Sequence, residues 1–227
     1  ITDEGLVVYP RTEALYNRPQ VDDFDPAERK TLGVEALDAM LGGGVPAWST
    51  TVVLGNSGSG KTLLGLNFLA AGGVRGEAGL YFGFGEPPAE LVAKADETGL
   101  AFSTHVARGT LKVLWQPPLE VIPDAVAARI LQEVDARAVQ RLFLDGLEGL
   151  EQVAVYPERL TRFITALTTE LRARGVTVLL STETRSRFFA EGGLVPVEVA
   201  IVAGTVIQLR QIEIGAHRTK TALSETP

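Results

Sequence analysis

The 227-residue sequence contains no cysteine. That absence removes disulfide frameworks, thiolate metal sites, iron–sulfur clusters and cysteine nucleophiles from consideration. Histidine is scarce: His105 and His217 stand far apart, too few for a His-rich metal centre or a serine–histidine triad. No run approaches the roughly 18 consecutive apolar residues that span a bilayer. Positive charge is in deficit, with 21 Lys and Arg against 28 Asp and Glu for a net charge of −7. Such a balance gives no global attraction to nucleic acid or to an anionic membrane. The chain begins with Ile rather than Met, and no charged-then-apolar leader follows. It is therefore expected to be a processed product or a piece of something longer. The lack of cysteine agrees with a cytoplasmic location, which is the expectation here. Hydrophobic residues make up 45% and charged residues 22%, a balance that suits one globular domain with a sizeable core.

Short apolar, β-branched runs alternate with helical patterns. This is the element order of an α/β fold with a mostly parallel central sheet and helices on both faces. Strands are predicted at 50–55 (TTVVLG), 79–84 (GLYFGF), 111–115 (LKVLW), 141–145 (RLFLD), 176–181 (VTVLLS) and 205–214 (TVIQLRQIEI). Several are apolar throughout, as in strands covered on two faces. Helices are predicted over 62–71, 87–98, 124–139 with Asp124 as N-cap, and 157–174. In the last of these, Leu160, Phe163, Ile164, Leu167 and Leu171 form one apolar face. Residues 1–30 carry Pro10, Pro19, Pro26 and the acidic VDDFD (21–25). They read as a leader or interdomain linker with one short strand at 5–9. Residues 31–223 read as the domain, and 224–227 as a frayed end. The LGGG run at 41–44 reads as a helix stop, Trp48 and Trp115 as packing groups, and His105 as a surface or capping residue.

Residues 55–62, GNSGSGKT, fit the pattern G-x-x-x-x-G-K-[ST], with an apolar strand running in and a helix from Leu63 running out. This context marks a phosphate-binding loop. Gly55, Gly58 and Gly60 allow backbone angles closed to other residues, and the N–H groups of the loop form an inward-facing anion nest. The helix N-terminus adds partial positive charge. Lys61 brings a full charge to the β/γ-phosphates, and Thr62 offers a hydroxyl to Mg2+. The expected nucleotide-binding set is Gly55, Ser57, Gly58, Ser59, Gly60, Lys61, Thr62 and Leu63. Asp145, at the end of RLFLD, is the expected second group for Mg2+. Glu86, just past the second strand, is the expected carboxylate for the attacking water, with Lys61 as its catalytic companion. Thr182 and Glu183 read equally as contacts to the γ-phosphate or as a polar surface pair.

GVEALDAMLGGGVP (33–46), followed by GNSGSGKTLLGLNFLAAG (55–72), resembles the opening of a KaiC-like domain, a branch of the RecA-type ATPases. YFGFGEPPAELVAKADETGL (81–100) is similar to that family's second strand, glutamate signature and following helix, and RLFLDGLEGL to its Walker B strand. The resemblance covers about 31–218. It implies a RecA-like P-loop fold, binding of ATP and Mg2+, slow hydrolysis, and assembly into a ring, usually a hexamer, with nucleotide between subunits. The leader ITDEGLVVYPR resembles the closing strand of a preceding copy, which implies the C-terminal copy of a two-domain protein. Three departures stand out. Gly85-Glu86 replaces the family's glutamate pair. Ala200 and Ile201 stand where its clock kinase has Ser-Thr phosphoacceptors, so clock-type autophosphorylation is not supported. Ser224 and Thr226 stand where the family has a basic finger, for which His217, Arg218 and Lys220 are the local substitutes.

Two other readings compete with a ring ATPase that signals its nucleotide state to a partner. One is a scaffold that holds ATP at subunit interfaces without turning it over, favoured by Gly85. The other is a DNA-dependent motor. For that reading GLEGLEQ (146–152) is acidic and unfavourable, whereas TRSRFF (184–189) combines Arg185 and Arg187 with Phe188 and Phe189 in a form suited to single strands. The acidic balance argues against nucleic acid as a partner.

Overall fold

The computed structural model describes residues 8–15, 25–117, 122–153, 157–183, 203–214 and 217–225. A 3-10 turn at Thr12–Leu15 comes first. Strands β1 (Arg29–Lys30) and β2 (Val45–Pro46) pair antiparallel around helix α1 (Glu35–Met40). Then follow β3 (Thr50–Gly55), α2 (Lys61–Val74), β4 (Gly79–Gly83), α3 (Pro88–Glu97), α4 (Phe102–Ala107) and β5 (Leu111–Trp115). The second half contains α5 (Pro123–Arg137), β6 (Arg141–Asp145), α6 (Glu148–Val153), α7 (Pro157–Ala173), β7 (Thr177–Glu183), β8 (Thr205–Ile214) and β9 (His217–Glu225). No described helix is long and apolar enough to cross a membrane.

Seven strands form one sheet in the order β5-β4-β6-β7-β3-β8-β9, parallel throughout except for β9, which pairs antiparallel with β8. All six predicted strands are present, and the mostly parallel α/β architecture is as expected. Alternate residues of the inner strands feed two separate cores. Leu80, Phe82, Leu142, Leu144, Val178 and Leu180 pack with α5 and α7 on one face. Tyr81, Phe143, Leu179 and Val53 pack with α2, α3 and α4 on the other. This period of two explains the continuous apolar runs, since both faces of each strand are covered.

Helix α2 lies unusually close to β6. The inward-facing residues of RLFLD meet it at successive turns. A Cβ at Gly65 would collide with the Phe143 ring, and one at Gly72 would lie 2.6 Å from Arg141 Nε. Arg141, fully buried, donates to the carbonyls of Phe68 (2.9 Å) and Thr31 (2.6 Å) and pairs with Glu77. The helix continues through Gly72 and Gly73 to Val74, past the predicted stop at 71. Those glycines make room for Arg141 and for His105, so they serve packing and do not end the helix.

Several expectations are corrected. His105 is buried, only 7% exposed, against Gly73, with its ring 3.4 Å from the Thr110 hydroxyl. Asp124 is not an N-cap: the helix begins at Pro123 after Ile122. Its carboxylate instead accepts from the Thr12 amide (2.9 Å) and hydroxyl (2.8 Å) and from Arg159 (2.8 Å). Arg159 also binds Glu13 at 2.6 Å, so the first described turn is tied to α5 and α7. The LGGG run does end a helix, with Gly42, Gly43 and Gly44 all at positive φ. The predicted strand at 5–9 lies largely outside the described residues, as do Ala200, Ile201, Thr226 and the loop 184–189.

On an unconstrained helix, Gly65→Ala would stabilise by about 1 kcal/mol. Against Phe143 it is expected instead to destabilise by about 1–3 kcal/mol, read as a lower melting temperature. A second expectation concerns Arg159. Its hydrogen bond holds Glu13 below the ordinary 4.5. Burial would raise Asp124, but the bonds from Arg159 and Thr12 outweigh it and keep it below 3.8. The stabilisation is therefore complete above those ordinary values and is lost as pH falls through the lowered ones. Arg159→Ala is expected to cost about 1 kcal/mol at neutral pH. In melts recorded down the acid range, its deficit relative to the parent chain should shrink.

Candidate nucleotide-binding site

The C-terminal edge of the sheet gathers the predicted residues. Strand β3 ends at Gly55, opposite Glu183 of β7 and Leu209 of β8. The loop turns through Gly58 (φ 75°) and Gly60 (φ 102°), left-handed conformations suited to glycine. Asn56, Ser57 and Gly58 are exposed. Helix α2 starts at Lys61 from an N-cap, Gly60, whose cap position has no side-chain hydrogen bond. The first amides of a helix have no intrahelical acceptor, so this uncapped end presents donors and the positive end of the dipole together. Ser59 Oγ is buried and has no hydrogen-bond partner among the described residues. The Lys61 ammonium arches back over the loop and donates to the carbonyls of Gly55 (2.8 Å) and Asn56 (3.1 Å). Uncapped amides, an orphan hydroxyl and a cation whose described partners are loop carbonyls make a cradle that fits a polyphosphate.

Asp145 lies two strands from β3, and α2 spans the gap. Thr62, on the first turn of α2, donates from Oγ1 to Asp145 Oδ2 at 2.9 Å. Tyr81 of β4 donates to the same oxygen at 3.0 Å. Ser181 of β7 donates to Oδ1 at 2.6 Å and accepts from the Gly146 amide at 2.8 Å. Thr62, Tyr81, Asp145 and Ser181 therefore meet on the α2 face of the sheet. Burial, reinforced by the neighbouring Asp145 charge, raises the Tyr81 phenol far above its ordinary range, so it remains a donor.

Of the other expected residues, Glu86 lies beyond Asp145 along the edge, whereas Thr182 and Glu183 lie on β7, between β6 and β3. Glu86 follows β4 and pairs with Lys94 of α3 at 2.6 Å, with both side chains substantially exposed. Thr182 and Glu183 both turn to Glu148: the Thr182 hydroxyl donates to its Oε1 at 2.8 Å and the Glu183 amide donates to the same atom. Sequence reasoning assigned no role to Tyr81, Ser181, Glu148 or Gln211. Gln211 of β8 donates to the Gly58 carbonyl at 3.1 Å and braces the loop from the side. The only sequence signal for Ser181 and Tyr81 is strand parity, which puts odd-numbered positions 81, 145 and 181 on one face.

A strand that ends in a glycine-rich loop, a helix that starts there uncapped, and an acidic strand end bonded to that helix's first threonine now stand together. The profile of the family described as ATPase: KaiC matches residues 30–223. The chain belongs to the KaiC ATPase family. Its sheet and loop are those of a RecA-like P-loop α/β domain, and the family match supports ATP binding. Among curated relatives, the circadian clock oscillator protein KaiC of Picosynechococcus sp. is 27% identical over 220 residues. That alignment covers 97% of this chain and 41% of the relative. The KaiC of Rippkaea orientalis is 26% identical, with the same coverage of each chain. KaiC 1 of Synechocystis sp. is 25% identical over 97% of this chain and 41% of its own length. The chain therefore spans about two-fifths of the length of these relatives and corresponds to a single KaiC-like domain.

Proposed function

We propose that this KaiC-family domain binds MgATP in the loop Gly55–Leu63 and hydrolyses it slowly within a homo-oligomeric ring in the cytoplasm, passing its nucleotide state to a partner protein. The observation that carries the reading is the 2.9 Å bond between Thr62 and Asp145, which joins the phosphate loop to the acidic end of β6. The amides of Ser57, Gly58, Gly60 and Lys61, with those of Thr62 and Leu63, would face the phosphates, and that of Ser59 would join them on leaving the Asn56 carbonyl, to which it donates at 3.1 Å. Lys61 exchanges its two loop carbonyls for phosphate oxygens, which recovers its hydrogen bonds with a charge-assisted partner. Thr62 and Asp145 would hold Mg2+, directly or through water. When bound, Mg2+ neutralises phosphate charge and offsets the negative charge that builds during transfer.

Glu86 is the carboxylate assigned to orient the attacking water and accept its proton. Its partner Lys94 is exposed, and exposed pairs contribute about 0–1 kcal/mol, so the contact restrains Glu86 weakly and leaves it able to turn toward the site. Ring assembly, usually as a hexamer, and transmission to a partner are carried over from the family resemblance.

A second reading is a scaffold that holds ATP without useful turnover. It is favoured by Gly85 in place of a second carboxylate and by the engagement of Glu86 with Lys94.

Lys61→Ala is expected to abolish tight MgATP binding in calorimetry, and Asp145→Asn to weaken it only when Mg2+ is present. Unchanged affinity in the first variant would remove the loop from the phosphate site. Glu86→Gln is expected to keep ATP affinity and lower phosphate release by about 100-fold or more. Undetectable release from the assembled parent protein, with binding intact, would instead establish the scaffold.

A further inference from the structure

We infer that Tyr81 is a positioning residue for Asp145, admitted to it by the absent side chain of Gly83, and that the pair sets how much Mg2+ the site requires to hold its nucleotide. The inference rests on the metal role proposed for Asp145. Tyr81 and Gly83 are two apart on β4 and so share the α2 face, and Gly83 is the register partner of Asp145 on β6. To reach Asp145, the phenol must therefore pass over Gly83. A Cβ at Gly83 would collide with the phenol oxygen and lie 2.7 Å from Cζ. Gly83 is not among the glycines at positive φ, so the position requires glycine for space and not for backbone conformation.

The ring needs no hydroxyl for its packing. Tyr81 is 1% exposed and meets Phe143 edge-on at 5.7 Å, contacts that phenylalanine would keep. What the hydroxyl adds is the 3.0 Å bond to Oδ2, the oxygen that also accepts from Thr62. The three hydroxyl donors divide their work. Thr62 belongs to the phosphate loop, and its oxygen lone pairs are the ones offered to a cation, so its orientation changes with ligand. Tyr81 and Ser181 belong to the sheet. They fix one carboxylate oxygen each, and the plane of Asp145 is held whatever Thr62 does. Groups that orient a metal-binding carboxylate in this way typically change metal affinity by about 10–100-fold when removed.

The test uses the 227-residue chain and calorimetric titration of ADP or ATP across a range of Mg2+ concentrations, alongside melting curves in EDTA. Tyr81→Phe and Gly83→Ala are each expected to raise the Mg2+ midpoint about tenfold, with nucleotide affinity in EDTA unchanged. The double variant should show a midpoint no higher than the worse single one, because both changes remove the same contact. Its melting temperature should nevertheless fall further, because the added methyl still crowds the ring. A parental Mg2+ midpoint in Tyr81→Phe would overturn the inference, as would midpoint effects that multiply in the double variant. If Gly83→Ala does not fold, Tyr81→Phe decides alone. Parent protein that binds nucleotide equally well with and without Mg2+ would instead overturn the metal role of Asp145, a result distinct from a Mg2+-dependent parent with an indifferent Tyr81→Phe.

Discussion

The close contact of α2 with β6 is the constraint on which the site depends. Three inward-facing residues of β6 meet the helix in sequence. Arg141 binds the Phe68 carbonyl, Phe143 fills the space left by Gly65, and Asp145 accepts from Thr62. From Arg141 to Asp145 the strand advances about 13 Å, and a helix covers that distance in about nine residues, close to the separation of Thr62 from Gly72, which faces Arg141. The three contacts therefore keep step along opposed chains, and a helix that packs flush at Gly65 and Gly72 is in register to bring its first turn to the acidic strand end. The glycines weaken α2 as an isolated helix by about 1 kcal/mol each. Tertiary contact supplies what propensity lacks: a guanidinium 4.7 Å from the Phe68 ring centroid and the Phe143 ring against Gly65.

Asp145 is held by hydroxyl groups and not by cations. Among the described residues its hydrogen-bond donors are Thr62, Tyr81 and Ser181, all uncharged. A lysine or arginine in their place would form an ion pair competing directly with a divalent cation. Hydroxyls orient the carboxylate while leaving its charge uncompensated, the condition an acidic group needs to attract a metal. Charge is treated oppositely at the other end of the same strand. Arg141 is fully buried; burial lowers its pKa, while pairing with Glu77 works to retain the charge. RLFLD thus carries a locked ion pair at the end away from the loop and an open carboxylate at the end beside it.

Much of this was legible in the sequence because it follows from local rules. The apolar runs announced all six parallel strands, and GNSGSGKT between a strand and a helix announced the phosphate loop. What escaped has specific causes. Among the described residues strand β9 (HRTKTALSE) is the edge strand, paired with β8 alone, so it has no double-faced apolar signature. Gly72 and Gly73 looked like a helix stop because the groups they make room for, Arg141 and His105, lie about 70 and 30 residues further along the chain. Asp124 looked like a cap because its partners, Thr12 and Arg159, lie far away on either side. Tyr81 lies in a strand that the sequence announced, but its hydroxyl has a purpose only once Gly83 and Asp145 are seen in register.

Gly85 bears on how much catalysis the fold permits. Among the described residues, a Cβ there would meet no heavy atom within 4 Å, and its φ is not positive. Neither space nor backbone requires glycine at this position, in contrast to Gly83 two residues before it, where the phenol occupies the volume a side chain would need. A carboxylate missing at position 85 is thus a chemical difference that the fold does not impose. On the proposed function, phosphate binding and metal orientation would be built from residues held by α2 and β6, whereas water activation would rest on the partly exposed Glu86, paired with the exposed Lys94. A domain divided in this way would hold its nucleotide through residues packed between α2 and β6 and turn it over through a carboxylate paired with an exposed lysine. On that proposal, turnover could be tuned at positions 85, 86 and 94 without disturbing the cradle.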